Sequence, residues 1–155
     1  MTDRQHDFDF IFGEWSVHHR RLREALSNNP EWVEFDGTCV GRPVWGGIGN
    51  TDEIDAPDTP WGHIQGMTVR LFDPKAQQWA IYWANRLTGR MDVPMIGSFT
   101  NGVGEFYDQE LFRGRAIFSR FIWSNISATT ARWEQAFSAD GAKTWETNWI
   151  MNFRR

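Results

Sequence analysis

The 155-residue chain is 41% hydrophobic and 23% charged, with a net charge of −4, the make-up of a single globular domain (1–155) long enough to bury a core. An acidic balance lacks the basic footprint that nucleic acid requires, and the basic run Arg20-Arg21-Leu22-Arg23 is cut short by Glu24. The lone cysteine, Cys39, excludes an intramolecular disulfide and a zinc–thiolate cluster, and no apolar run reaches the ~18 residues of a membrane-spanning helix. Residues 1–7 are polar without a signal-peptide core, so a cytoplasmic setting away from membranes is expected. Ten Trp and twelve Phe are an unusual load, and such flat side chains suit the half-buried surfaces of sheets better than helical cores.

In chain order, a short helical turn is predicted over 7–12, where phenylalanines cluster before Gly13. A first strand follows with Trp15, Val17, His19 and Arg21 on one face and His18 on the other. Turn-forming clusters then fall at 27–30, 55–58, 73–75, 88–89, 101–102, 113–115, 124–125 and 140–141, spaced on the order of a dozen residues apart as in hairpin-linked strands. Gly46, Gly47 and Gly49 are not followed by a helical pattern and are expected to bend a strand rather than cradle a phosphate. Between the turns, apolar residues alternate. Trp79, Ile81 and Trp83 share a face, as do Phe121 and Trp123, then Trp133, Gln135 and Phe137. In the last strand Trp145, Thr147, Trp149, Met151 and Phe153 oppose Glu146, Asn148, Ile150 and Asn152. About ten such strands with no edge protection predict an all-β protein, a closed antiparallel up-and-down barrel with a short N-terminal helical turn.

The segment Gly13-Glu14-Trp15 resembles the Gly-x-Trp opening of lipocalins, fatty-acid-binding proteins and nitrobindins. The resemblance implies a Trp packed across the closed end of the barrel against an arginine from the last strand, Arg154 or Arg155. A wider pattern runs from Gly46-Gly47-Ile48-Gly49-Asn50 through Arg70-Leu71-Phe72-Asp73-Pro74 and Trp79 to Glu134-Gln135-Ala136-Phe137 and Thr144-Trp145. It resembles a bacterial lipocalin-like family classed as a domain of unknown function. That resemblance implies a calycin-type barrel and no established activity. Within it, Ser138-Ala139-Asp140-Gly141-Ala142-Lys143-Thr144-Trp145 is similar to the Asp-box hairpin of sialidase-type proteins, with Ala142 in place of a Gly. The Asp box is a structural turn that propellers carry in several copies, so a single copy does not imply glycosidase chemistry.

Candidate chemistry is sparse. His19 beside Arg21 on an inner face would lose its proton readily and serve as a base or as a hydrogen-bonded part of the wall. His6, His18 and His63 do not complete a three-histidine zinc site, and no histidine lies in the C-terminal half where nitrobindins keep their haem ligand, so no metal or cofactor is expected. Asp52, Glu53, Glu105, Glu134 and Glu146 show no pairing for acid–base work, and Glu134, Glu146 and Asn148 fall on the outer face. Cys39 reads as a small core residue. What remains is an aromatic stripe with a few polar groups, the usual make-up of a small-ligand site. Its candidate lining is His19, Arg21, Asn50, Trp83, Ser119, Trp123, Trp133, Gln135, Thr147 and Trp149, with no catalytic residue assigned. The leading expectation is a binding barrel for a partly apolar or aromatic molecule. The alternatives are an isomerase, cyclase or hydrolase using His19 and Arg21, and a homodimerising interaction protein whose aromatic belt faces outward. That last reading requires the opposite parity, with Arg70, Arg120, Glu134 and Asn148 inside.

Overall fold

The computed structural model describes residues 3–155. The short N-terminal helical turn predicted over 7–12 is present as Asp9–Ile11, a 3-10 turn preceded by another at Arg4–His6. The strands are β1 (Gly13–Leu22), β2 (Trp32–Val44), β3 (Gly49–Thr59), β4 (Gly62–Asp73), β5 (Gln78–Asn85) and β6 (Arg90–Met91). They continue as β7 (Met95–Thr100), β8 (Val103–Phe112), β9 (Arg115–Ser124), β10 (Thr130–Ser138) and β11 (Glu146–Arg154). Neighbours pair antiparallel, and the β1–β11 and β4–β5 ladders close the sheet into a ten-stranded barrel, with the two-residue β6 added to the end of β5. Closure is what lets strands this apolar exist without a sticky edge. No helix among the described residues is long and apolar enough to cross a membrane.

One predicted turn falls elsewhere, and one expected strand bend is a turn. β3 runs through 55–58 to Thr59, because Ala56 is fully buried, and the chain reverses at Pro60 and Trp61 instead. Gly46 and Gly47, with φ of 68° and 101°, form a 3-10 turn between β2 and β3 rather than a bend within a strand.

One end of the barrel is plugged by the chain's own N-terminal turns. A ten-stranded wall encloses more space than its own side chains fill, and Phe8 and Ile11, both 0% exposed, take up that space. The Phe8 ring meets Trp79 at 5.0 Å and Phe99 at 4.9 Å, both edge to face, pairs worth about 0.5–1.5 kcal/mol each beyond their burial. A side chain at Gly41 would collide with the Ile11 carbonyl, so this glycine is what lets the plug dock on β2. Trp15 crosses the same end and donates its indole N–H to the Ile11 carbonyl at 3.1 Å. Of the two candidate arginines, Arg155 covers it: the guanidinium lies 3.9 Å from the Trp15 ring and donates to the Phe10 and Phe12 carbonyls.

The Asp-box-like turn closes the other end of the β10–β11 hairpin. Asp140 accepts from the Thr144 hydroxyl and backbone N–H and from Ser138, and these bonds hold its carboxyl down at about 2. Ala142 stands there with φ of 70°, in the region where the motif has Gly. A bulge at Gln135/Ala136 then shifts the register, so that Trp149 pairs with Gln135 but Thr147 pairs with Ala136. Ala136 shares its face with Arg120 and Tyr107, the outer one. The shift overturns the strict alternation expected of the last strand. Trp145 lies outside against Tyr107 and under the Arg120 guanidinium at 4.5 Å, while Asn148, expected outside, is buried and accepts from Gln135 Nε2 at 2.8 Å.

Candidate ligand cavity

Above the plug the barrel keeps a cavity of about 90 Å³. Alternation along β5, β9, β10 and β11 sends Trp83, Phe121, Trp133, Trp149 and Met151 into it. The rings stand nearly perpendicular to one another: Trp133–Trp149 at 5.5 Å and 88°, Trp83–Trp149 at 6.5 Å and 90°. Trp83 rests over Gly66 of β4, where a Cβ would overlap its indole. Gly66→Ala is therefore expected to dislodge Trp83 and cost about 1–3 kcal/mol, visible as a lower urea midpoint together with a changed near-UV circular dichroism spectrum.

The deep wall is charged. Arg70 of β4 pairs with Asp52 of β3 at 2.7 Å and donates to Asn50 Oδ1 at 3.0 Å. Its guanidinium also lies over Phe8 at 4.8 Å and Trp123 at 5.7 Å. Four buried polar atoms at this end have no partner among the described residues: Asn50 Nδ2, Asp52 Oδ1, Arg70 Nε and Trp123 Nε1.

Towards the other end the lining turns acidic, with Asp92, Asp108 and Glu110. Both Asp108 oxygens are buried, beside the Glu110 carboxyl and the Ser119 backbone. Burial, with the neighbouring Glu110 and Asp92 carboxylates, pushes Asp108 up to about 8. The wall is incomplete here: β7 pairs with β8 only from Val103 to Tyr107, so β8 from Asp108 onward is bonded to β9 alone. The end of β5 is taken up by β6, and Asp92, Val93 and Glu110 border both the cavity and a wide outer groove. The cavity thus opens sideways between β6 and β8.

Of the residues singled out in the sequence, Trp83, Ser119, Trp123, Trp133, Gln135 and Trp149 meet in this cavity, whereas His19, Arg21, Asn50 and Thr147 do not line it. His19 is fully buried, stacked on Phe35 at 4.5 Å, and its Nδ1 accepts the Trp149 indole N–H at 3.1 Å. A ring that accepts at Nδ1 carries its proton on Nε2, and burial, helped by the His18 and Arg21 charges, lowers its pKa to about 4. Arg21 lies between Trp61 and Trp149, at 4.5 and 4.3 Å, and burial lowers it to about 10. Asn50 serves Arg70 rather than a ligand, and Thr147 leaves the inner face at the bulge. Cys39 is buried, and burial pushes its thiol up. Arg70, Asp108 and Glu110 were not anticipated as lining. The signal for the last two was their period-two parity with Phe106 along β8. No group of three His, Cys, Asp or Glu among the described residues is placed to hold a metal ion.

The molecule is thus a closed ten-stranded antiparallel β-barrel, plugged at one end, with an aromatic cavity that opens through its side. A solved structure of a redesigned β-barrel shares this fold, with a TM-score of 0.52 and 8% sequence identity, covering 100% of this chain and 98% of that one. That likeness concerns the fold alone. No family model matches the chain, and no curated protein does.

Proposed function

We propose that this chain is a lipocalin-like binding barrel that takes a compact, partly apolar molecule into its side-opening cavity. The observation that carries the reading is a wall of perpendicular Trp rings sharing one cavity with buried polar atoms that no protein group satisfies. Buried polar groups are normally paired, so unsatisfied ones facing a cavity favour a ligand that pairs them. At about 90 Å³ the space is smaller than the ~150 Å³ cavity that holds benzene. The enclosed part of the ligand is therefore only a few non-hydrogen atoms, with any remainder lying towards the outer groove.

The enzyme reading needs an inward His19 with a carboxylate in hydrogen-bond reach. His19 does face inward, but its acceptor nitrogen is taken by the Trp149 indole. The dimer reading drew on a surface belt of tryptophans, and Trp123, Trp133 and Trp149 line the interior instead. The test is a small-molecule library screened by Trp fluorescence and thermal shift on the wild type and on Ser119→Leu, which fills the cavity. Hits that shift the wild type and fail on the filled variant are expected. A library with no such hit overturns the binding reading.

A further inference from the structure

The charge of the cavity narrows the ligand class, an inference that rests on the binding reading above. Four carboxylates line the space, from Asp52, Asp92, Asp108 and Glu110, against one guanidinium, Arg70, which is already committed to Asp52 and Asn50. The three outer carboxylates stand at the side opening and make no ion pair with any Lys, Arg or His among the described residues. The Trp83, Trp133 and Trp149 side chains line the same space. Acidic groups alone do not make a site. An independent observation marks the space as built for a polar guest: Trp123 is only 2% exposed, lines the cavity, and its Nε1–H has no acceptor among the described residues, a donor that a hydroxyl on the guest would pair. Asp52, also 2% exposed, keeps Oδ1 unpaired in the same wall.

We propose that the cavity binds a small alkylammonium ion, its cationic end held by Asp108 and Glu110 and its alkyl groups caged by Trp83, Trp133 and Trp149. A cage of aromatic faces with carboxylates is the chemistry that recognises alkylated ammonium groups. A neutral guest would leave Asp108 holding its proton and Glu110 and Asp92 without a counter-charge, and an anion would be repelled by them. Burial first, and then the neighbouring Glu110 and Asp92, raise Asp108, and an ammonium group seated beside it would draw its proton off. The small volume suits a head group of this size, and the side opening lets a longer substituent extend past Val93.

The experiment compares three molecules of one shape by isothermal titration calorimetry at pH 8: choline, its neutral carbon isostere 3,3-dimethylbutan-1-ol, and the anion 3,3-dimethylbutanoate. Choline is expected to bind about tenfold or more tighter than the alcohol, a ratio equivalent to ~1.4 kcal/mol, with the anion weakest. Asp108→Asn should remove most of that advantage and leave the alcohol unchanged. Glu110→Gln is the second variant, expected to act in the same direction. Equal binding of choline and the alcohol, or tighter binding of the anion, overturns the cation assignment while leaving a small-molecule cavity in place. No binding of any of the three, together with a library that yields no hit, overturns both. An advantage for choline that survives both variants overturns the roles given to Asp108 and Glu110.

Discussion

Arg70→Met is expected to destabilise the barrel by about 3–5 kcal/mol, because it strands the Asp52 carboxylate in a dry wall. Both side chains of the pair are almost completely buried, 4% and 2% exposed, and the 2.7 Å contact is the only ion pair Asp52 makes among the described residues. The same substitution leaves Asn50 Oδ1 without its donor and takes the cation from over Phe8 and Trp123. Arg70→Met/Asp52→Leu is expected to recover most of the loss, since replacing both members of a buried pair with apolar groups is often neutral. Urea unfolding of the two single variants and the double gives the coupling directly. A loss below about 1 kcal/mol for Arg70→Met would mean that the pair behaves like a surface contact, and that the deep wall is wetter than the burial of these side chains indicates.

Closure was legible because residues such as Trp79, Ile81 and Trp83 keep strict alternation, and pleated geometry turns alternation into a one-sided core. The inward tryptophans of β9 and β10 followed from the same parity, and Ser119 and Gln135 came with them. Legibility ended wherever parity stopped being local. One extra residue in β11, Asn148 opposite the Gln135/Ala136 step, turns Trp145 and Thr147 outward and is itself buried. Such bulges leave no compositional mark that a single sequence displays. Charged residues on an inner face defeat hydrophobic patterning in a different way. Arg70 and Asp52 each look like an outward polar residue until the β3–β4 register sets them on the same face. Asp108 depends on something less local still, the short reach of β7 that leaves the upper half of β8 uncovered. The candidate site was therefore readable in its aromatic half and not in its ionic half, and the ionic half is the one that assigns a ligand class.

His19 is expected to make the barrel lose about 3 kcal/mol of stability between pH 7 and pH 4. In the unfolded chain this histidine titrates near its ordinary 6.5, whereas in the fold it is held neutral down to about 4 by burial, His18 and Arg21. Its folded pKa is depressed, so the unfolded state binds the extra proton first. The contribution is intact above pH 6.5 and is lost as pH falls through the window to 4. Protonating Nδ1 also removes the acceptor of the Trp149 indole and places a second cation beside Arg21. Asp108 runs the other way: its raised pKa makes the fold bind a proton that the unfolded chain releases, so its contribution is present at low pH and lost as pH rises towards 8. Total stability against pH mixes the two, and the His19 share is isolated by His19→Gln, whose amide oxygen can accept from Trp149 and does not titrate. Urea unfolding of both proteins from pH 7 to pH 4 should show the wild type losing about 3 kcal/mol relative to the variant. A difference that stays flat over that range would mean that His19 is charged in the fold, which the Trp149 N–H bond to Nδ1 forbids.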